Sequence, residues 1–310
     1  MSTRRQFLGA GAALAGAAAA TALYAWRIEP HWVELVERPM PLRNLPPELV
    51  GKTLLQLNDL HVGFRVDPQY LIDALRRAAQ LSPDFVALSG DFITWQGPPD
   101  YDELARVLEH LPMGRLATIA ALGNHDYGGG WQQRPVADRI TRLLEEAGAA
   151  VLRNATHEAA GLRFVGLADF WSPEFGASGA HPLAGLFERS DGPDMVEGFE
   201  RRAVGARDLL QTLPAGLPTI ALAHNPDAQD APIWSGFEGW VLAGHTHGGQ
   251  VKPPFLPPPV LPCRNKRYTA GVFDVAPRRT LYINRGLGHL LRVRFNVRPE
   301  ITSFTLQRAG

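Results

Sequence analysis

Eight side chains in this sequence share two properties. Asp59, His61, Asp91, Asn124, His125, His224, His245 and His247 each carry an oxygen or imidazole donor, and each stands where a short apolar run gives way to a polar turn. Asp59 and His61 are two residues apart, as are His245 and His247, so in extended chain each pair points to one side and can reach one ion. A set that mixes carboxylate, amide and imidazole suits Mn, Fe, Zn, Ni or Co better than calcium, and ligand softness does not choose among the five. This many donors suits two divalent ions rather than one. Two ions about 3.5–4 Å apart bind a phosphoryl group, activate a water and stabilise an in-line displacement.

Ordinary turns also use Asn, Asp and Gly, so any one of these positions is weak evidence by itself. Their joint placement is stronger. Five of the ten histidines fall at four separate strand ends, whereas His31, His110, His157, His181 and His289 lie on helices and loops. Those five read as ordinary hydrogen-bonding residues, with a small reservation for His289. The single Cys263 excludes an intrachain disulfide, and the lack of a CxxC pair excludes a thiolate zinc cage. Any metal is therefore held by oxygen and nitrogen.

Parallel strands account for the placement. Lys52 to Leu57, Asp84 to Leu88 and Leu116 to Leu122 are apolar runs that end at Asp59, Asp91 and Asn124. Helical patterns follow: Pro68 to Gln80, with Leu71, Ile72, Leu75 and Ala79 at helical spacing, then Tyr101 to Leu111 and Arg134 to Ala147. Three strand, turn and helix units in succession imply right-handed crossovers with all three polar turns on one rim. Further strands are expected at 151–152, 162–167, 218–223 and 238–243, the last two ending at His224 and His245. A helix is expected at 199–213, strands near 268–275 and 280–284, and a closing strand at 301–306. Residues 31–40 alternate apolar and polar positions and run into Pro39 and Pro41, which predicts an edge strand.

In order, Asp59-Leu60-His61, Gly90-Asp91, Gly123-Asn124-His125-Asp126, His224 and Gly244-His245-Thr246-His247 resemble the five signature blocks of the calcineurin-like metallophosphoesterases. The resemblance spans roughly residues 50 to 290. With the Asn284 to Gly288 and Arg294 to Ile301 stretches, the chain looks most like the exported bacterial phosphodiesterase branch. It implies an α/β fold of two central mixed sheets flanked by helices, with the metal site at strand C-terminal ends. It further implies that Asp59, His61 and His247 hold one ion, that Asn124, His224 and His245 hold the other, and that Asp91 bridges them. A bridging hydroxide would attack phosphorus, His125 would protonate the leaving oxygen or stabilise the transition state, and Asp126 would orient or polarise the His125 imidazole. Asn58 stands where the family often has Ser, a departure that removes no metal contact.

The resemblance points to a phosphodiesterase. Its alternatives are a phosphomonoesterase or pyrophosphohydrolase on a lipid-linked or nucleotide substrate. A non-catalytic metal-binding scaffold would be expected to have lost ligands, and none is missing. The 31 basic and 31 acidic residues cancel, so the balance does not favour nucleic acid. Specificity falls to loops: 169–198, 128–134 with Trp131, and 252–267, where Arg264, Lys266 and Arg267 form a small basic cluster.

Residues 1–25 carry Arg4-Arg5 ahead of an Ala/Gly-rich apolar run, the layout of a twin-arginine export signal. Cleavage after Ala20-Thr21-Ala22 would release the protein to the periplasm or cell envelope, and retention would leave an N-terminal tether. On this reading residues 26–50 form a strand and connector and residues 51–310 the catalytic domain. The expected partners are the export machinery and a small-molecule, lipid or cell-envelope phosphoester, with membrane contact only through the N-terminal segment.

Overall fold

A computed structural model describes residues 4–63, 65–175 and 204–310. Two six-stranded sheets lie face to face. The first contains β1 (Glu34–Leu42), β2 (Thr53–Leu57), β3 (Phe85–Ser89), β4 (Ala117–Ala121), β5 (Ala150–Val151) and β12 (Glu300–Arg308), in the order β1-β12-β2-β3-β4-β5. The second contains β6 (Ala155–Ala159), β7 (Leu162–Gly166), β8 (Thr219–Leu222), β9 (Gly239–Ala243), β10 (Gly271–Ala276) and β11 (Arg279–Ile283), in the order β10-β11-β9-β8-β7-β6. Both sheets are mixed. Strands β2 to β5 run parallel, as do β7, β8, β9 and β11, whereas β12 opposes β2 and the outer pairs β6/β7 and β10/β11 are antiparallel.

Strand periodicity sorts the core into layers. Leu54, Phe85, Ala87, Ile119, Ile220, Leu222, Trp240 and Leu242 point between the sheets, where Phe304 and Tyr282 join them. Their sequence neighbours Leu55, Val86, Leu88 and Ala120 face outward onto α2 (Pro68–Ala79), α3 (Pro99–Leu108) and α4 (Arg134–Glu146). On the far side, Val165, Ala221 and Val241 pack with Ala206 and Leu210 of α5 (Val204–Gln211). Polar contacts join the sheets at both ends: Trp240 Nε1 donates to the Pro41 carbonyl at 2.9 Å at one, and the Gln56 side chain crosses at the other, near the rim. There Gln56 Nε2 donates to Ser89 Oγ and to the Ala243 carbonyl, each at 2.9 Å.

The expected strands and helices are present, with ends shifted by a few residues. In α2 the buried stripe is Leu71, Ile72, Leu75 and Ala78, with Ala79 exposed. The Asp67 carboxylate caps that helix by accepting from Gln69 N at 2.9 Å. One strand has no counterpart in the sequence reading: β6 forms a hairpin with β7, and its side chains are half-buried or exposed, so no apolar run marks it. Strand β1 is an edge strand as its prolines require. Helix α1 (Arg4–Leu23) lies outside the layers, and just after it Ala25 is buried together with Glu29 and Pro30. Most of the 169–198 insertion lies outside the described residues, as does His181.

Candidate metal centre

The parallel strands end on one rim and there the backbone turns sharply. Asp59, His61, Asp91, His245 and His247 all have positive φ, between 48° and 70°. For residues with a Cβ this region costs about 1–3 kcal/mol each, so the surroundings must hold them there. Cross-strand bonds do so: Asp59 N donates to Gly90 O at 2.8 Å and His61 N to Asp91 O at 3.0 Å. Two glycines are sterically required. A Cβ at Gly90, where φ is 92°, would meet Gly123 N and His224 Nδ1, and one at Gly244 would collide with Asn58 and Asp59.

The seven expected ligands converge. Donor atoms of six of them, joined by the His125 imidazole, form overlapping groups, Asp59/His61/His247, His61/Asp91/His125 and Asp91/His224/His245, each with atoms within 4.8 Å of one another. The distances are short: His247 Nε2 to Asp59 Oδ1 is 3.4 Å, His61 Nε2 to Asp91 Oδ2 is 3.7 Å and His224 Nε2 to Asp91 Oδ2 is 3.0 Å. Asp91 belongs to two of the groups. Asn124 joins through Oδ1, 3.0 Å from His245 Nδ1.

Groups behind the imidazoles set which nitrogen faces inward. His224 Nδ1 donates to the Ser89 carbonyl at 2.7 Å, and His245 Nε2 donates to the Pro262 carbonyl at 2.5 Å. His61 Nδ1 lies 2.8 Å from Thr94 Oγ1. Such outer partners fix the tautomer and raise the basicity of the opposite nitrogen. With its proton committed to Pro262, His245 aims the Nδ1 lone pair at the Asn124 oxygen, and the Nε2 atoms of His61 and His247 approach to 2.9 Å. The His245 Nδ1 lone pair and the Asn124 oxygen facing each other in a buried cluster are what a cation resolves, so these residues fit divalent metal.

The electrostatics agree. Burial would raise the Asp59 carboxyl, but the imidazoles of His247, His61 and His224 hold it well below the usual range. Asp91 behaves in the same way, burial being outweighed by His224 and His125. Burial opposes charge on His224, yet Asp91 and Asp59 hold its pKa well above the ordinary value. Burial lowers His245 to about 3 and His125 to about 4.

Asp126 departs from expectation. Its Oδ2 accepts from Asp91 N at 2.9 Å and Gly123 N at 2.8 Å, while Oδ1 accepts from Phe92 N at 2.8 Å and Ile93 N at 3.3 Å. Both oxygens are occupied by main chain and none reaches the His125 imidazole, so Asp126 clamps the β3 and β4 turns together. His125 instead ties to the cluster through its backbone N, which donates to Asp91 Oδ1 at 2.9 Å.

Other candidates sort cleanly. His289 is buried, donates Nε2 to the Arg65 carbonyl at 3.1 Å, and joins none of the donor groups. Lys266 Nζ turns back onto the Leu261 and Cys263 carbonyls of its own loop, and Arg267 Nη2 donates to the Asp274 carbonyl of β10. The aromatics of the two flanking loops do meet. Trp131 and Trp171 stack with ring centres 5.1 Å apart, Trp171 set edge-on to His245 and Trp131 tilted against His125. The sequence reading overlooked Thr94 and Arg294. Arg294 is fully buried, donates Nη2 to the Gly286 carbonyl at 3.1 Å and lies 3.4 Å from His247 Nδ1. Thr94 sits in no recognisable motif, and Arg294 opens the 294–301 stretch without any signal that it reaches His247.

Fold and donor set together define a metal-dependent phosphoester hydrolase. The chain matches the calcineurin-like phosphoesterase model over residues 52–249 and belongs to that family. It is 31% identical over 313 residues to phosphodiesterase YaeI of Escherichia coli, covering 99% of this chain and 100% of YaeI. It is also 31% identical over 320 residues to the uncharacterized metallophosphoesterase YkuE of Bacillus subtilis, covering 98% of each. The UDP-2,3-diacylglucosamine pyrophosphatase LpxG of Chlamydia muridarum is 26% identical, with 93% of this chain and 94% of LpxG covered.

Proposed function

We propose that this metallophosphoesterase is a phosphodiesterase holding two divalent ions, one by Asp59, His61 and His247, the other by Asn124, His224 and His245, with Asp91 shared. The observation that carries the reading is the overlap of the donor groups at Asp91, which offers one carboxylate to both halves of the cluster. Bound divalent ions supply Lewis-acid stabilisation of phosphoryl oxygens and an activated water. The chain's own contribution is to position. Pro262, Ser89 and Thr94 set the imidazole orientations, and Asp126 holds the turns that carry Asp91 and Asn124. His125 stands at the edge of the cluster with a neutral ring, as burial dictates. It donates a hydrogen bond to a phosphoryl or leaving oxygen, and the negative charge of the bound ester favours the proton it needs as a general acid.

The diester preference draws on the likeness to YaeI, and a pyrophosphate linkage is the second reading, favoured by the likeness to LpxG. The Leu8–His31 segment, with a mean hydropathy of 1.5, is long and apolar enough to cross a membrane. With Arg4-Arg5 ahead of it, the proposal extends to twin-arginine export and retention as an anchor on the outer face. The deciding experiment is elemental analysis of the purified full chain beside assays with a chromogenic diester, monoester and pyrophosphate. About two metals per chain and fastest diester cleavage support the reading. One metal per chain rejects the dinuclear assignment, and preference for pyrophosphate moves the function to the second reading.

A further inference from the structure

Three segments distant in sequence meet where α1 leaves the body. Arg294 N donates to the Ala25 carbonyl at 2.9 Å, and Val297 N to the buried Glu29 carboxylate at 2.6 Å. The Arg298 guanidinium sits 3.8 Å over the Trp32 ring. Residues 25–32 are thus docked on the 290–298 strip. The same strip holds the Pro-rich loop, because Phe295 N bonds Gln250 O and Lys252 N bonds Phe295 O, each at 2.9 Å.

Each segment leaves apolar side chains in solvent. Trp26, Ile28 and Trp32 are about half exposed, Leu291 more so, and the loop tip presents Phe255 fully exposed, with Leu256 and Val260 beside it. Phe255 has φ of 64°, an uncommon conformation for a bulky residue, and packing on a core does not account for it. Arginines accompany the apolar groups: Arg27 over Trp26, Arg298 over Trp32, and Arg292 next to Leu291. Exposed apolar side chains with Trp and Arg beside them are the composition of a membrane interface, where rings lie at headgroup level and guanidinium meets phosphate.

We infer that this strip and the Pro-rich loop form a membrane-docking face, with the Phe255-Leu256 tip and Leu291 entering the bilayer beside the base of α1. The occupant is argued from continuity. The membrane-crossing helix is clamped to the body at Ala25 and Glu29 instead of hanging from a flexible linker, so a bilayer spanned by it must lie against the surface around that clamp. The loop's other end carries Pro262, whose carbonyl meets His245, so docking holds the metal-bearing rim close to the bilayer surface. Membrane contact then extends beyond the N-terminal segment. The inference rests on the proposed retention of α1 as an anchor, and the experiment separates the two.

The full chain is reconstituted in phosphatidylethanolamine–phosphatidylglycerol vesicles as Phe255→Cys, Leu291→Cys or Glu146→Cys, each labelled with an environment-sensitive fluorophore. The buried Cys263 of the unsubstituted chain sets the labelling background. Glu146 is exposed at the end of α4, on the opposite rim. Lipid-borne quenchers are expected to reduce the signal at 255 and 291 by roughly half and to leave 146 unchanged, as insertion of about 5–10 Å requires. Protein that floats with the vesicles while the 255 label stays open to aqueous iodide would overturn the docking face and leave the anchor standing. Protein that does not float would overturn both. Shielding of the 255 label that follows protein concentration instead of lipid would assign the tip to a second copy of the chain.

Discussion

The two sheets contribute to the metal centre unequally. The first delivers every carboxylate and the amide, as Asp59, Asp91 and Asn124, together with His61 and His125; the second delivers imidazoles alone, as His224, His245 and His247. The acidic half is held by main-chain N–H groups, through the Asp126 clamp, the His125 N to Asp91 bond and the His245 N to Asp59 bonds at 3.0 and 3.2 Å. The imidazole half is held by carbonyls, at Ser89 and Pro262. Charge explains the pairing, since N–H donors favour an ionised carboxylate and carbonyl acceptors leave the opposite imidazole nitrogen free to bind. Neither sheet has a complete donor set. The candidate donor set is complete only where the two sheets meet.

If that division holds, Asp91→Ala has the largest effect, because it removes the carboxylate that lies 3.0 Å from His224 and 3.7 Å from His61, between the two halves. Metal content should fall to near none by elemental analysis, and with it essentially all of an acceleration of roughly 10⁶-fold or more typical of enzymes. His125→Ala should keep its metal and lose about 10²–10⁴-fold in turnover. Equal loss of metal would make His125 a ligand. Asp126→Asn tests the clamp: an amide turns one acceptor into a donor facing main-chain N–H, which should cost about 1–3 kcal/mol. A lowered Tm with and without metal is expected. A change confined to kcat would restore the imidazole-orienting role. Thr94→Val, which touches only the outer nitrogen of His61, should weaken metal binding by about 10–100-fold while the fold keeps its Tm.

Acidity probes the same contrast from the imidazole side. His224 has a raised pKa in the metal-free cluster, and metal must displace that proton. Metal affinity should therefore rise with pH and weaken as pH falls through the neutral range, with protons released on binding, measurable by titration calorimetry in buffers of different ionisation enthalpy. The linkage in the metal-free protein has the opposite sign. A raised His224 pKa stabilises the fold fully below the ordinary imidazole value, and that contribution is lost as pH rises through the folded value. The gap in Tm between metal-loaded and metal-free protein should widen with pH.

Much of this was legible in the chain. Apolar runs ending at Asp59, Asp91, Asn124, His224 and His245 mark buried parallel strands, because such strands have no polar face and their functional residues collect at the ends. The β6 strand was illegible because Ala155–Ala159 lies at a sheet edge and carries no apolar pattern. Asp126 was placed by its contacts and not by the chain's local pattern. The family resemblance implied that it orients the His125 imidazole; consecutive residues leaving a turn point in different directions, and the Asp126 carboxylate accepts from four N–H groups of the turns after β3 and β4.

Residue type and local spacing pointed to the donor chemistry and the strand ends that bear it, since these depend on periodicity, and the order of the motifs carried the resemblance to the family. Tertiary structure decided which atoms face one another. The inward nitrogen of His224 and of His245 depends on carbonyls at Ser89 and Pro262, brought in by other elements. The docking of Ala25 and Glu29 on the 294–297 strip depends likewise on two ends of the chain meeting. Contacts between residues far apart in sequence carry no local signal, because the energy that selects them comes from burial and hydrogen bonds that exist only once both sheets are packed.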